Sequence, residues 1–303
     1  MDNIQRKLSN HTLESYLTGR VDRREFLRRM ALIGGGAVVG STLLGGLACD
    51  TEMPTPTAAP PSGPVANVDP NDPRIEAGPV QFVTAATTML GYLSRPKEGG
   101  PNPAILVIHE NRGLLPHFPD VTRRLALQGY TALTVDLLSR KGGTQTFSDS
   151  DQARDALREI AQEDFVADLN ASVDYLAELS HVRPDRIGVT GFCFGGSLTW
   201  LMSVRNAKIR AAVPFYGSAP PLDEVSNLNI QVLGIYAGDD DRINAGVPDL
   251  EAALQQQEKD YRFITYPGAG HAFFNDTGRR YHPQAAGAAW QEALGFFDEH
   301  LKS

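Results

Sequence analysis

Chemistry in this chain gathers around Cys193, in the stretch Gly191-Phe192-Cys193-Phe194-Gly195-Gly196. The apolar run before it, residues 186–190, reads as a strand, and residues 197–202 read as a helix. A strand, a sharp Gly-x-x-x-Gly turn and a helix form the nucleophile-elbow pattern, here with Cys where Ser is more usual. Glycines at both ends permit a tight turn that lifts the central side chain above the sheet edge. The thiolate is the reactive form of such a residue, so Cys193 needs a base or a cationic partner.

Both kinds of partner follow in the chain order that this turn leads one to expect: nucleophile, acid, histidine. Pro267-Gly268-Ala269-Gly270-His271 comes after an apolar run at 261–266, and small residues there let the loop carry the His271 imidazole over the sheet edge. Of the seven histidines, His271 alone follows a late strand in a glycine-rich context; His109 also ends a strand, but ahead of the nucleophile. Asp239, Asp240 and Asp241 follow the run at 230–236, and one of them is needed to orient the imidazole and stabilise its charged form. Spacing does not choose among the three.

Glu110 follows the apolar run at 104–108 through His109, which puts a second carboxylate at the same edge, where it can accept a thiol proton. The oxyanion of an acyl-transfer intermediate needs two backbone N–H groups. One is expected from Phe194, the residue after the nucleophile, and the other from Asn111, in the loop after the first core strand.

The elements that must hold these groups alternate from about residue 78. Residues 79–84 and 89–93 read as a leading strand pair. Runs at 104–108, 130–135, 186–190, 211–216, 230–236 and 261–266 read as core strands, and 120–128, 149–179, 249–259 and 284–301 as helical, the second in two pieces. Continuous apolar strands of this kind are buried on both faces, as in a parallel sheet. The expected architecture is α/β, a single doubly wound, mostly parallel sheet with helices on both faces. Ligands in such sheets sit at the carboxyl ends of the strands.

The front of the chain has a different character. Asp22-Arg23-Arg24-Glu25-Phe26-Leu27-Arg28 precedes a modestly apolar, glycine-rich run at 30–48. Basic flank, apolar stretch and small residues make a signal peptide over residues 1–49, and the paired arginines point to the Tat route. Gly46-Leu47-Ala48-Cys49 resembles a lipobox, although Gly46 stands where Leu is usual. The expectation is a protein exported beyond the cytoplasm and held to a membrane only through a lipid on Cys49; cleavage by ordinary signal peptidase near Ala48 is the alternative. Residues 50–77, rich in Pro, Thr and Ala, read as an extended linker. The domain proper is expected over 78–303.

Composition narrows the function. With 303 residues, 42% of them hydrophobic and 21% charged, the chain suits one large domain or two small ones. The net charge is −8 and no basic stripe appears past residue 30, which argues against a nucleic-acid partner. Two cysteines are present, so once Cys49 is lipidated or removed Cys193 is unpaired, as a reactive thiol would be. No cluster of residues has metal-ligand spacing, and no cofactor is expected.

Taken with His109-Glu110-Asn111-Arg112-Gly113, Asp136-Leu137-Leu138, Pro214-Phe215-Tyr216-Gly217, Gly238-Asp239-Asp240-Asp241-Arg242-Ile243 and Gly270-His271-Ala272-Phe273, the elbow resembles the dienelactone hydrolase family of α/β-hydrolases. The resemblance covers roughly residues 78–303. It implies a Cys193–His271–Asp240 triad, Asp240 being the acid that falls two residues after a glycine and three before an aliphatic residue. It implies that Glu110 holds the resting thiol until substrate arrives, and that the substrate is a small-molecule lactone or ester. Two arginines bind the substrate carboxylate in such proteins. Arg140 matches the first; the second is expected four residues after His271, where this chain has Asn275, at the loss of a charge-assisted contact. Together with export, that change argues for an ester other than a dienelactone. The competing reading is a non-catalytic tethered binding or thiol-sensing domain, which would show reversible oxidation of Cys193 without ester turnover.

Overall fold

The computed structural model describes residues 66–303. The expected signal peptide, the expected lipobox at Cys49 and the expected linker as far as residue 65 lie outside the described residues. Strands β1 (Ile75–Val83) and β2 (Thr88–Pro96) form an antiparallel hairpin in the register Ile75↔Pro96 to Val83↔Thr88. Its turn is closed by Thr84, whose backbone N–H and hydroxyl both donate to the Thr87 carbonyl. Six further strands follow: β3 (Asn102–Ile108), β4 (Thr131–Val135), β5 (Val182–Phe192), β6 (Ile209–Phe215), β7 (Gln231–Asp239) and β8 (Tyr261–Gly270). They complete one sheet in the order β1-β2-β4-β3-β5-β6-β7-β8, parallel from β4 onward.

The central strands show why the apolar runs are continuous. In β3, Leu106 and Ile108 face one hydrophobic core and Ile105 and Val107 face the other, so both pleats are buried. Helices α1 (His117–Leu127) and α7 (Pro283–Phe297) cover one face through Phe118, Leu125, Trp290 and Phe297. On the other lie α2 (Ser150–Arg158), α3 (Gln162–Glu178), α4 (Phe194–Arg205) and α6 (Val247–Gln256). A single turn, α5 (Asp241–Asn244), precedes α6. The doubly wound reading therefore stands, and all eight strands fall on or next to the expected runs.

Two local differences have physical causes. α1 begins at His117, ahead of the expected 120, because Pro116 and Pro119 fall where no intrahelical N–H bond is required. It ends where expected, with Gly129 at φ 90° just past the last turn. The domain also starts before residue 78. Asp120 accepts from the Val68 N–H at 2.8 Å, Arg123 Nε donates to the Val68 carbonyl at 2.8 Å, and Arg124 donates to the Asn67 side chain at 2.6 Å. Residues 67 and 68, in the last part of the expected linker, are thus pinned to α1.

Arg124 also pairs with Asp120 and Asp276, and His117 Nδ1 lies 2.8 Å from Asp276. Burial alone would raise the Asp276 carboxyl, but hydrogen bonds from His117 and Arg124, with the charge of both, outweigh it and take the pKa down to about 2. A carboxyl held this low contributes stability above its unfolded pKa of about 3.9 and loses it as the pH falls toward 2. Asp276→Asn should therefore lower the unfolding free energy at pH 7 by about 2 kcal/mol, since His117 and Arg124 are left buried with a charge missing. In urea unfolding the difference from the parent should shrink steadily below pH 4.

Candidate active site

β5 ends at Phe192 and α4 begins at Phe194, leaving Cys193 to make the whole turn at φ 58°, ψ −114°. A non-glycine residue held there stores about 1–3 kcal/mol of strain. Neighbouring backbone enforces it. Cys193 N–H donates to the Phe215 carbonyl at 3.1 Å, and Ser197 N–H donates back to the Cys193 carbonyl at 3.1 Å. A Cβ on Gly191 would run into the Gly195 carbonyl, and one on Gly195 into the Ile108 carbonyl at the end of β3. The two glycines are there so that β5, α4 and β3 can touch.

Asp240 follows β7 and is buried, while Asp239 and Asp241 are exposed. Its Oδ1 caps α5 through the Ile243 N–H, and its Oδ2 lies 2.5 Å from His271 Nδ1. Geometry thus singles out Asp240 from the three aspartates. His271 follows β8, and its ring packs edge-on to Tyr216 at 5.1 Å between centroids. No hydrogen bond joins His271 to Cys193 in this state.

The thiol is turned toward another set of groups. Burial, and after it the negative charge of Glu110, push its pKa up to about 11 against the downward pull of hydrogen bonds from the Phe194 and Asn111 backbone N–H groups and the Arg242 charge. Cys193 is therefore a neutral thiol at pH 7, and the two N–H groups expected to receive an oxyanion point at its sulfur. Glu110 is fixed from two sides: Asn275 Nδ2 donates to its Oε2 at 3.0 Å, and the Tyr216 hydroxyl to its Oε1 at 3.4 Å. Asn275 is itself oriented, because its Oδ1 accepts from the Thr277 N–H at 3.1 Å and from the Thr277 hydroxyl at 2.7 Å. Beneath the site His109 is fully buried, with Nδ1 2.6 Å from the Glu110 carbonyl and Nε2 accepting from the Leu137 N–H at 3.1 Å. It ties the end of β3 to the end of β4.

Two residues expected to contact substrate lie outside the cavity lining. Arg140 does not reach the cavity. Its guanidinium makes a two-pronged pair with buried Asp168, at 2.8 and 3.0 Å, and a further pair with Asp164 at 3.1 Å, so its charge is spent on α3. Asn275 is buried and spends its amide on Glu110 instead of lining the cavity.

Glu110, Asn111, Cys193, Phe194, Asp240 and His271 share one cavity of about 860 Å³. Arg242 and Arg280 line it too, and neither has an acidic partner among the described residues. Sequence reasoning missed both arginines, along with Tyr216 and the role of Asn275. Arg242 stands two residues after Asp240 and was open to notice; Arg280 reaches the site only through the path of the 271–282 loop. The assembled groups can deprotonate a thiol, hold an oxyanion and activate a water.

Comparison with known proteins agrees with this geometry. A model of the dienelactone hydrolase family matches residues 89–301. A protein of Escherichia coli (strain K12) named "Putative carboxymethylenebutenolidase" is 34% identical over 257 residues, covering 80% of this chain and 94% of that protein. A relative with the same name from Saccharolobus solfataricus is 32% identical over 241 residues, covering 68% of this chain and 91% of its own. A crystal structure described as a "Putative Dienelactone Hydrolase" from Klebsiella pneumoniae superposes with a TM-score of 0.70 at 31% identity, covering 75% of this chain and 99% of the other. The dienelactone hydrolase of Anabaena variabilis shares the fold at a TM-score of 0.60 and 20% identity, over 75% of this chain and 99% of the other. Strands β3 to β8, the elbow at Cys193 and the loops that carry Glu110, Asp240 and His271 all fall inside the matched region, and the chain belongs to the dienelactone hydrolase family.

Proposed function

We propose that the protein hydrolyses a small-molecule carboxylic ester or lactone through Cys193, His271 and Asp240, with Glu110 as the group that receives the thiol proton. The observation that carries this reading is the state of Cys193: strained at the elbow, protonated, and facing both Glu110 and the N–H groups of Phe194 and Asn111.

A carbonyl oxygen entering the cavity competes with the sulfur for those N–H groups. The thiol proton passes to Glu110, and the sulfur electron pair forms a bond to the carbonyl carbon. Phe194 and Asn111 then hold the oxyanion. The intermediate collapses, the C–O bond to the leaving group breaks, and the leaving oxygen takes the proton from Glu110. His271, oriented by Asp240, next removes a proton from water as the hydroxide attacks the thioester. The thiolate departs and regains a proton from His271, so acid and alcohol are the net products of ester and water. Among the described residues, the cations of the cavity without an acidic partner are Arg242 and Arg280.

The front of the chain supports a second element of the proposal. The twin arginines, the apolar run and Gly46-Leu47-Ala48-Cys49 suit a hydrolase exported by the Tat route and anchored through Cys49.

Cys193→Ala should abolish turnover of p-nitrophenyl acetate by the purified protein, and unchanged turnover would sink the mechanism. Cys193→Ser should retain under about 1% of kcat/KM, because an alcohol has a far higher pKa than a thiol and Glu110 is a weak base for it. Glu110→Gln removes the charge that holds the thiol protonated, so alkylation of Cys193 by iodoacetamide at pH 8 should run several-fold faster than in the parent while ester turnover falls. Replacing Arg23 and Arg24 together by Lys should leave the protein in the cytoplasmic fraction of a Tat-competent bacterium; continued export would remove that route.

A further inference from the structure

The cavity at Cys193 does not end at the catalytic groups. An annex of about 430 Å³ adjoins it, and the two share Leu157, Arg158, Phe194, Ser197 and Ser218. Ile160, Phe165, Leu198, Leu201, Ala219 and Pro220 supply most of the remaining wall, so the annex is apolar where the main cavity is crowded with charge. Its single charged residue is Arg158, which already faces Asp155 at 3.2 Å. Phe194 joins the two spaces: its backbone N–H points at the Cys193 sulfur, while its ring stands edge-on to Phe165 at 5.1 Å inside the annex wall.

We propose that this annex is the acyl-group subsite, and that the substrates turned over best are open-chain esters of an apolar acid. The assignment rests on the hydrolase reading above, and its direction follows from where protons must move. The leaving oxygen has to collect a proton and the attacking water has to lose one. Both events need Glu110 or His271, which line the main cavity and are absent from the annex. The acyl group exchanges no proton at any step. It also stays covalently attached to Cys193 while the alcohol is replaced by water, so it needs a space that does not block entry from the His271 side. The annex supplies that space, next to the residue that binds the oxyanion. A compact ring ester closes acyl and alcohol parts into one small body and leaves the annex empty, whereas an extended acyl chain fills it. Each methylene buried in an apolar site of this kind adds about threefold to kcat/KM when it remains buried in the transition state.

The test uses two p-nitrophenyl and acetate ester series on the parent protein and on Ala219→Trp, which fills the annex from an irregular loop. In the acyl series, p-nitrophenyl acetate through octanoate, kcat/KM should climb with chain length in the parent. The octanoate-to-acetate ratio should fall at least tenfold in Ala219→Trp. In the alcohol series, acetates of phenol and of longer arylalkyl alcohols, the variant should keep the parent's ranking. Ile160→Asp, between α2 and α3 in the annex lining, should lower the same octanoate-to-acetate ratio by charge instead of bulk. A flat or falling acyl series in the parent, with acetate turnover still dependent on Cys193, overturns the subsite and leaves the hydrolase reading intact. A change confined to the alcohol series in Ala219→Trp overturns it as well, by assigning the annex to the leaving group. Loss of Cys193-dependent turnover on every ester overturns both.

Discussion

Three backbones meet at one point in this molecule, with no room for a side chain between them. The elbow after β5 touches the end of β3 through Gly195 and folds against its own helix through Gly191, and its central N–H bonds to the last residue of β6. Everything else at the site is a consequence of that contact. Because β3 is close, its outgoing loop delivers Glu110 and the Asn111 N–H beside the sulfur. Because β6 is close, Tyr216 sits between Glu110 and the His271 ring. A single methyl group on Gly195 would push β3 and α4 apart and dismantle nucleophile, base and oxyanion donors together.

The second constraint is electrostatic. A thiol in this pocket is buried and faces a carboxylate, and both effects favour its neutral form. Glu110 is held in place by neutral donors, Asn275 and Tyr216, so its charge is not cancelled by a cation at short range. An arginine at position 275 would form an ion pair with it; asparagine fixes the geometry and leaves the negative charge directed at the sulfur. The residue expected to recognise a substrate carboxylate thus serves the resting nucleophile instead, and the unpartnered cations of the cavity stand elsewhere, on Arg242 and Arg280.

Most of the fold was legible because buried parallel strands advertise themselves as uninterrupted apolar runs, and 104–108 and 230–236 are clear examples. The residues that share the cavity were legible because each follows such a run: Cys193, Asp240, His271 and Glu110 all stand at strand ends. What escaped was long-range. Nothing local in Asn67 or Val68 says that they bond to Asp120, Arg123 and Arg124 across more than fifty positions, so that segment read as linker. Arg140 matched a motif, yet buried Asp168 claims its guanidinium, and such a competition is invisible in the chain order. The same is true of the annex, whose walls come from α2, α3, α4 and the 218–221 loop.

The protonated state of Cys193 has a bearing on durability. Peroxides attack thiolates, and sulfinic or sulfonic acids formed from an over-oxidised nucleophile are not recovered by simple thiols. Cys193 is the free cysteine of the described domain, so no neighbouring thiol stands by to trap a sulfenic acid as a disulfide. Burial and the Glu110 charge hold the sulfur as a neutral thiol. The idle enzyme is thereby kept in the form that oxidants attack most slowly.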